Sequence, residues 1–124
     1  MARILIIDDD PAVSLTLSRM LELDGHEVKC VGTAQDGLAA AADDTPDAVI
    51  LDIRMPGMTG LEFLRELRSN TRLCRLPVGI ITGDYFLSEQ VLGEIGSLGA
   101  LVRSKPVWMA DLTALTGALL SGAT

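Results

Sequence analysis

The stretch RILIIDDDPAV (residues 3–13) sets an unbroken apolar run against three acids and a proline. Ile4, Leu5, Ile6 and Ile7 carry no polar residue between them. Such a run reads as a strand buried on both faces, as in a parallel sheet. Asp10 and Pro11 then read as the N-cap and first residue of a helix. Three like charges at a buried strand end cost energy. Either they only solvate a turn, or a cation is meant to sit among them.

The same grammar repeats along the chain. Val13, Leu17, Met20 and Leu21 recur at helical spacing, and Gly25 is placed to stop that helix. EVKCV (27–31) alternates like a strand nearer an edge, and AQDGLAAAADD (34–44) is helical in composition despite Gly37. DAVILD (47–52) is a second doubly buried strand that ends in a carboxylate, and RMPGMTG (54–60) is a loop by its proline and glycines. Leu61, Leu64, Leu67 and Arg68 continue as an amphipathic helix, and Pro77 opens a fourth strand, VGIIT, ending at Thr82. A weaker helix is predicted over 86–97, a short strand over 100–102 and a last helix over 108–120. Trp108 is expected to pack at the start of that helix. Five β-α units in one order predict an α/β fold with a parallel sheet covered by helices on both faces.

With 124 residues the chain suits one domain, 1–124, with one core. Its 48% hydrophobic and 22% charged content argues against disorder. A net charge of -7 disfavours direct contact with nucleic acid and with anionic membranes. No apolar run is long enough to span a bilayer and no signal peptide precedes the first strand, so a cytoplasmic location is expected. Cys30 and Cys74 lack metal or redox spacing and read as ordinary thiols. His26 reads as a solvated loop histidine.

In doubly wound sheets, sites lie beyond the carboxyl ends of the strands, where strand order reverses. Asp8 and Asp9 follow strand one, Asp52 ends strand three, Thr82 ends strand four and Lys105 follows strand five. A lone acid after a strand usually caps the next helix, and Asp10 fits that role. Asp8, Asp9 and Asp52 together fit it less well, because three clustered carboxylates repel unless a cation compensates. Mg2+ suits them, since it takes oxygen ligands and keeps several waters. With a lysine and a hydroxyl beside it, such a site can hold a phosphoryl group. Gly83 leaves that pocket without a blocking side chain.

With these residues in place, the chain resembles a two-component response-regulator receiver domain over its whole length. The matching pieces are IIDDD (6–10), PDAVILDIRMPGMTGLEFL (46–64), IITG (80–83) and SKP (104–106). The resemblance implies a flavodoxin-like, five-stranded sheet of order 2-1-3-4-5 flanked by five helices. It implies that Asp52 accepts a phosphoryl group from a histidine kinase or phosphotransfer protein. It implies Mg2+ held by Asp9, Asp52 and the backbone carbonyl of Arg54, with Asp8 acting mainly through water. Thr82 would bond the phosphoryl group, Lys105 would pair with its charge, and Pro106 would follow a cis peptide bond. On this reading the chain is a signalling phosphoacceptor, with at most self-catalysed phosphorylation and dephosphorylation. Its output would be altered binding to a downstream partner or to a second copy of itself.

The sequence also departs from that family. Where many receivers carry an aromatic three residues before the lysine, this chain has Val102, or Leu101 if the segment is one residue short. Tyr85 is better read as a packing residue than as a substitute. Arg54 and Asp84 are expected to approach across the pocket mouth and restrict water, or else to be solvated separately. Other readings are a Mg2+-dependent aspartyl phosphatase, a nucleotide-binding domain and a receiver-like module that takes no phosphate. The first lacks the second acid of a D-x-D motif after Asp52. The second lacks a glycine-rich phosphate loop. The complete Asp, Thr and Lys set argues against the third. The chain is expected to work alone or to be a fragment of a longer response regulator or hybrid kinase, with stand-alone use or an N-terminal fragment favoured.

Overall fold

A computed structural model describes residues 2–53, 57–83, 88–105 and 107–121. Five strands and five helices alternate: β1 (Arg3–Ile7), α1 (Pro11–Leu23), β2 (Glu27–Val31), α2 (Ala34–Asp43), β3 (Ala48–Asp52), α3 (Gly60–Ser69), β4 (Val78–Thr82), α4 (Glu89–Ser97), β5 (Leu101–Ser104) and α5 (Met109–Leu120). The strands form one parallel sheet of order β2-β1-β3-β4-β5.

Side-chain alternation along the central strands divides the core in two. Leu5, Ile7, Val49, Leu51, Val78 and Ile80 face one layer, closed by Phe63, Leu64 and Leu67 of α3 and Ile95 of α4. Ile4, Ile6, Ala48, Ile50 and Ile81 face the other, closed by Leu17 and Leu21 of α1 and Leu112, Leu115 and Leu119 of α5. This two-sided burial explains why β1, β3 and β4 read as continuous apolar runs. β2 is an edge strand and more exposed, hence its alternation.

Helix ends carry the expected chemistry. The Asp10 side chain accepts from Ala12 N with Pro11 in the first turn, and Gly25 past the end of α1 has φ +88°. Thr59 and Glu62 form a reciprocal capping box at the start of α3. Gly37 is explained by close approach. A Cβ there would lie 2.3 Å from Ile7 Cδ1, so the glycine lets α2 sit tight on β1.

Some expectations are corrected. β5 runs on to Ser104, two residues beyond the predicted end, because its backbone stays paired to β4 where its side chains turn polar. Within the described residues α4 begins at Glu89, where the Ser88 side chain accepts from Val91 N. His26 is half-buried rather than solvated, and its Nδ1 accepts from Ala2 N at 3.2 Å. Trp108 does not pack. It is 68% exposed at the N-cap of α5, where its backbone N–H donates to Asp111 Oδ2 at 2.9 Å.

Candidate functional site: an acidic rim at the sheet switch point

β1 and β3 are neighbours although β2 lies between them in sequence, so strand order reverses between these two strands. Asp8 and Asp9 leave the end of β1, and Asp52 is the last residue of β3. Asp8, Asp9 and Asp52 each place a carboxylate oxygen within 4.8 Å of the others. Asp8 is buried, at 5% exposure, whereas Asp9 is exposed.

Asp8 carries the electrostatic strain. Burial pushes its carboxyl above the ordinary value. A hydrogen bond from Asp10 N–H opposes this, the Asp52 charge adds to it, Lys105 opposes it, and Asp9 adds again. The Asp8 backbone is fixed by its own N–H, which donates to Val31 O at 3.1 Å. Its carbonyl accepts a long bond of 3.5 Å from Ser14 Oγ.

Lys105 reaches into the cluster from the far side. Its Nζ lies 3.2 Å from Asp52 Oδ2, and the side chains are 32% and 14% exposed respectively. Thr82 is buried at 2% exposure, and its carbonyl accepts from Lys105 N at 2.7 Å. That backbone bond continues the β4–β5 ladder past Thr82↔Ser104 and places the lysine on the rim. Asp52, in turn, is braced by α3. Gly60 N donates to Ile53 O at 2.9 Å, and a Cβ at Gly60 would lie 2.7 Å from Ile53 Cα and 3.0 Å from Asp52 O.

The structure therefore brings Asp8, Asp9, Asp52 and Lys105 together and sets Thr82 at the end of the adjoining strand. Among the described residues, a Cβ at Gly83 would meet Lys105 Cδ at 3.7 Å, an ordinary contact. Val102 pairs with Ile80 and packs against the α3–α4 side of the core, whereas Leu101 faces the α1–α5 side. Arg54, Asp84, Tyr85 and Pro106, with the roles expected of them, lie outside the described residues. Sequence reasoning missed Ser14, a polar residue on the otherwise apolar inner face of α1. It also missed the bond from Asp10 N–H to Asp8 Oδ1.

Fold and rim together define a doubly wound α/β domain with an acidic site at its switch point. The chain belongs to the response regulator receiver domain family, whose model matches residues 4–115. It is thus a receiver of two-component signalling, a signalling domain in which phosphoacceptor function is the family's role and histidine kinases or phosphotransfer proteins are the implied partners. It is 36% identical to Protein PilH of Pseudomonas aeruginosa over 122 residues, 98% of this chain and 100% of PilH. It is 39% identical over 123 residues to response regulator MprA of Mycolicibacterium vanbaalenii, covering 98% of this chain but 52% of MprA. Among solved structures, chemotaxis protein CheY4 of Vibrio cholerae matches with a TM-score of 0.87 at 28% identity, covering 97% of this chain and 99% of that one. A CheY-like receiver domain protein of Methanospirillum hungatei matches with a TM-score of 0.88 at 30% identity, covering 98% and 94%.

Proposed function

We propose that Asp52 is the residue that takes the phosphoryl group, with Asp8, Asp9 and Asp52 itself serving a Mg2+ ion and Lys105 and Thr82 serving the phosphoryl oxygens. The observation that carries this is the 3.2 Å contact of Lys105 Nζ with Asp52 Oδ2 inside a cluster of three acids. The donor set fits Mg2+. It is all oxygen, and Asp8, Asp9 and Asp52 bring three carboxylate oxygens within 4.8 Å of one another, the hard donors that such a cation takes. The burial-strained Asp8 carboxylate is the group that such a charge relieves. When bound, Mg2+ neutralises charge on the transferring phosphoryl oxygens.

The chain's own residues do the rest. An Asp52 carboxylate oxygen attacks phosphorus as the bond to the donor imidazole nitrogen breaks, and that nitrogen keeps the electron pair. Asp52 becomes an acyl phosphate, and the charge that Lys105 balanced on the carboxylate moves onto the phosphoryl oxygens. Lys105 follows it, with Thr82 donating its hydroxyl to the same group. The new arrangement biases the β4–β5 edge and so the binding of a downstream partner or a second copy. Beside the rim, grooves flank the first turns of α1. One, about 470 Å3, includes Asp8, Asp9, Pro11 and Leu15, and the other, about 460 Å3, includes Val13, Thr16 and Lys105. They offer mixed apolar and charged surface on which a phosphohistidine donor can rest.

A cytoplasmic setting is consistent with this partner and with the finding that no helix among the described residues is long and apolar enough to cross a membrane. Residues 1–124 form one receiver in this reading. The match to all of PilH and to about half of MprA fits both a stand-alone receiver and one joined to further sequence. The test is transfer from a phosphorylated histidine kinase in the presence of Mg2+. Label should move to the wild type and not to Asp52→Asn, and equal labelling of the variant contradicts the assignment.

A further inference from the structure

Asp10 is the acid that phosphoryl chemistry leaves aside, yet its backbone ties it to the acidic rim. Asp10 N–H donates to Asp8 Oδ1 at 2.9 Å. The Asp10 carboxylate accepts from Ala12 N at 2.9 Å, and the Asp10 carbonyl accepts from Ser14 N at 3.0 Å. The residue is thus clamped to the first turn of α1 on one side and presents its amide to Asp8 on the other. Among the influences on Asp8, that amide is the strongest one favouring the ionised form. Asp8 N–H is meanwhile fixed to Val31 O, so the remaining freedom of Asp8 is in its side chain.

We infer that Asp10 is a positioning residue for the cation site: its cap on α1 fixes the amide that holds Asp8 Oδ1, and so sets how the Asp8 carboxylate faces Asp9 and Asp52. The inference rests on reading the three acids as a Mg2+ site, and it makes one residue serve both the helix end and the cation. A residue that only caps α1 would change stability and leave the cation site untouched. A residue that positions Asp8 changes Mg2+ affinity when its capping oxygen is lost, and regains it when another capping oxygen is supplied.

The test is a calorimetric Mg2+ titration of the full chain as wild type, Asp10→Ser, Asp10→Asn, Asp10→Ala and Asp10→Gly. The four variants remove the same charge, so the field at the cation changes equally. Ser and Asn keep an oxygen that accepts from the helix, whereas Ala and Gly do not. Gly starts a helix nearly as well as the capping residues, which guards against loss of folding. Thr33→Ala removes the cap of α2, where Thr33 Oγ1 accepts from Asp36 N at 3.0 Å, and controls for lost stability. Ala and Gly should bind Mg2+ about tenfold more weakly than Ser and Asn, as when an outer partner of a metal ligand is lost. Thr33→Ala should match wild type. Equal affinities for all four Asp10 variants overturn the inference while leaving the Mg2+ site standing. No Mg2+ binding by the wild type overturns the cation site, and the inference with it.

Discussion

Lys105 Nζ stands 3.2 Å from Asp52 Oδ2, joining the ends of β5 and β3 across 53 residues of sequence. That cation offsets the charge that Asp8 and Asp9 add beside Asp52. Lys105→Met should slow acyl phosphate formation by about tenfold, less than the 10²–10³ of a fully enclosed donor because the lysine is partly solvated. Rapid-quench kinetics with a small phosphodonor reads this directly, and an unchanged rate contradicts the role.

Asp8 predicts a pH dependence with a definite sign. Its carboxyl titrates above 3.8 in the folded protein, pushed up first by burial. Between that unfolded-like value and the raised folded one, the native state binds more protons than the unfolded state. Metal-free stability therefore falls as pH rises through this window. Asp8→Asn should remove that slope and stabilise the metal-free protein at neutral pH. Mg2+ at ten times its Kd should stabilise the wild type by about 1.4 kcal/mol and Asp8→Asn by less. Urea unfolding across pH, with and without Mg2+, checks both.

Gly60 and Gly117 should respond oppositely to alanine. A Cβ at Gly60 meets the backbone of Ile53 and Asp52, so Gly60→Ala should cost about 2 kcal/mol and disturb the placement of Asp52. At Gly117, on the exposed side of α5, nothing among the described residues lies within 4 Å of the added atom. Gly117→Ala should stabilise by about 0.5–1 kcal/mol. Thermal unfolding of the pair distinguishes close approach from helix propensity.

Arg68 ties α3 to two other segments. Its Nε donates to Leu98 O at 2.6 Å and its second guanidinium nitrogen to Leu76 O at 2.7 Å. Burial pulls its pKa below the ordinary value, but a guanidinium stays charged at any pH of interest. Arg68→Ala leaves both carbonyls without this donor and should cost about 2 kcal/mol. Arg65→Ala, which breaks the exposed pair with Glu94, should shift the unfolding midpoint much less.

The sequence was most legible where burial is two-sided. β1, β3 and β4 announce themselves because the apolar residues of each run are enclosed, and the acids at the ends of β1 and β3 stand out against it. β5 is half-exposed and ends in Arg103 and Ser104, so backbone pairing, which leaves no mark in the residue types, sets its end. Trp108 and His26 were misread for one reason. Side-chain type predicts average burial, whereas a helix cap and a bond to Ala2 N are local accidents of chain path. The Asp10 amide on Asp8 was invisible because it belongs to the backbone.

The central claim is that Asp52 accepts a phosphoryl group in a Mg2+-dependent reaction. Intact mass after incubation with a small phosphodonor, with and without Mg2+, tests it on wild type and Asp52→Asn. The account predicts one added phosphoryl group on the wild type only with Mg2+, and none on the variant under either condition. A phosphorylated Asp52→Asn, or a wild type that gains the group equally without Mg2+, would contradict it.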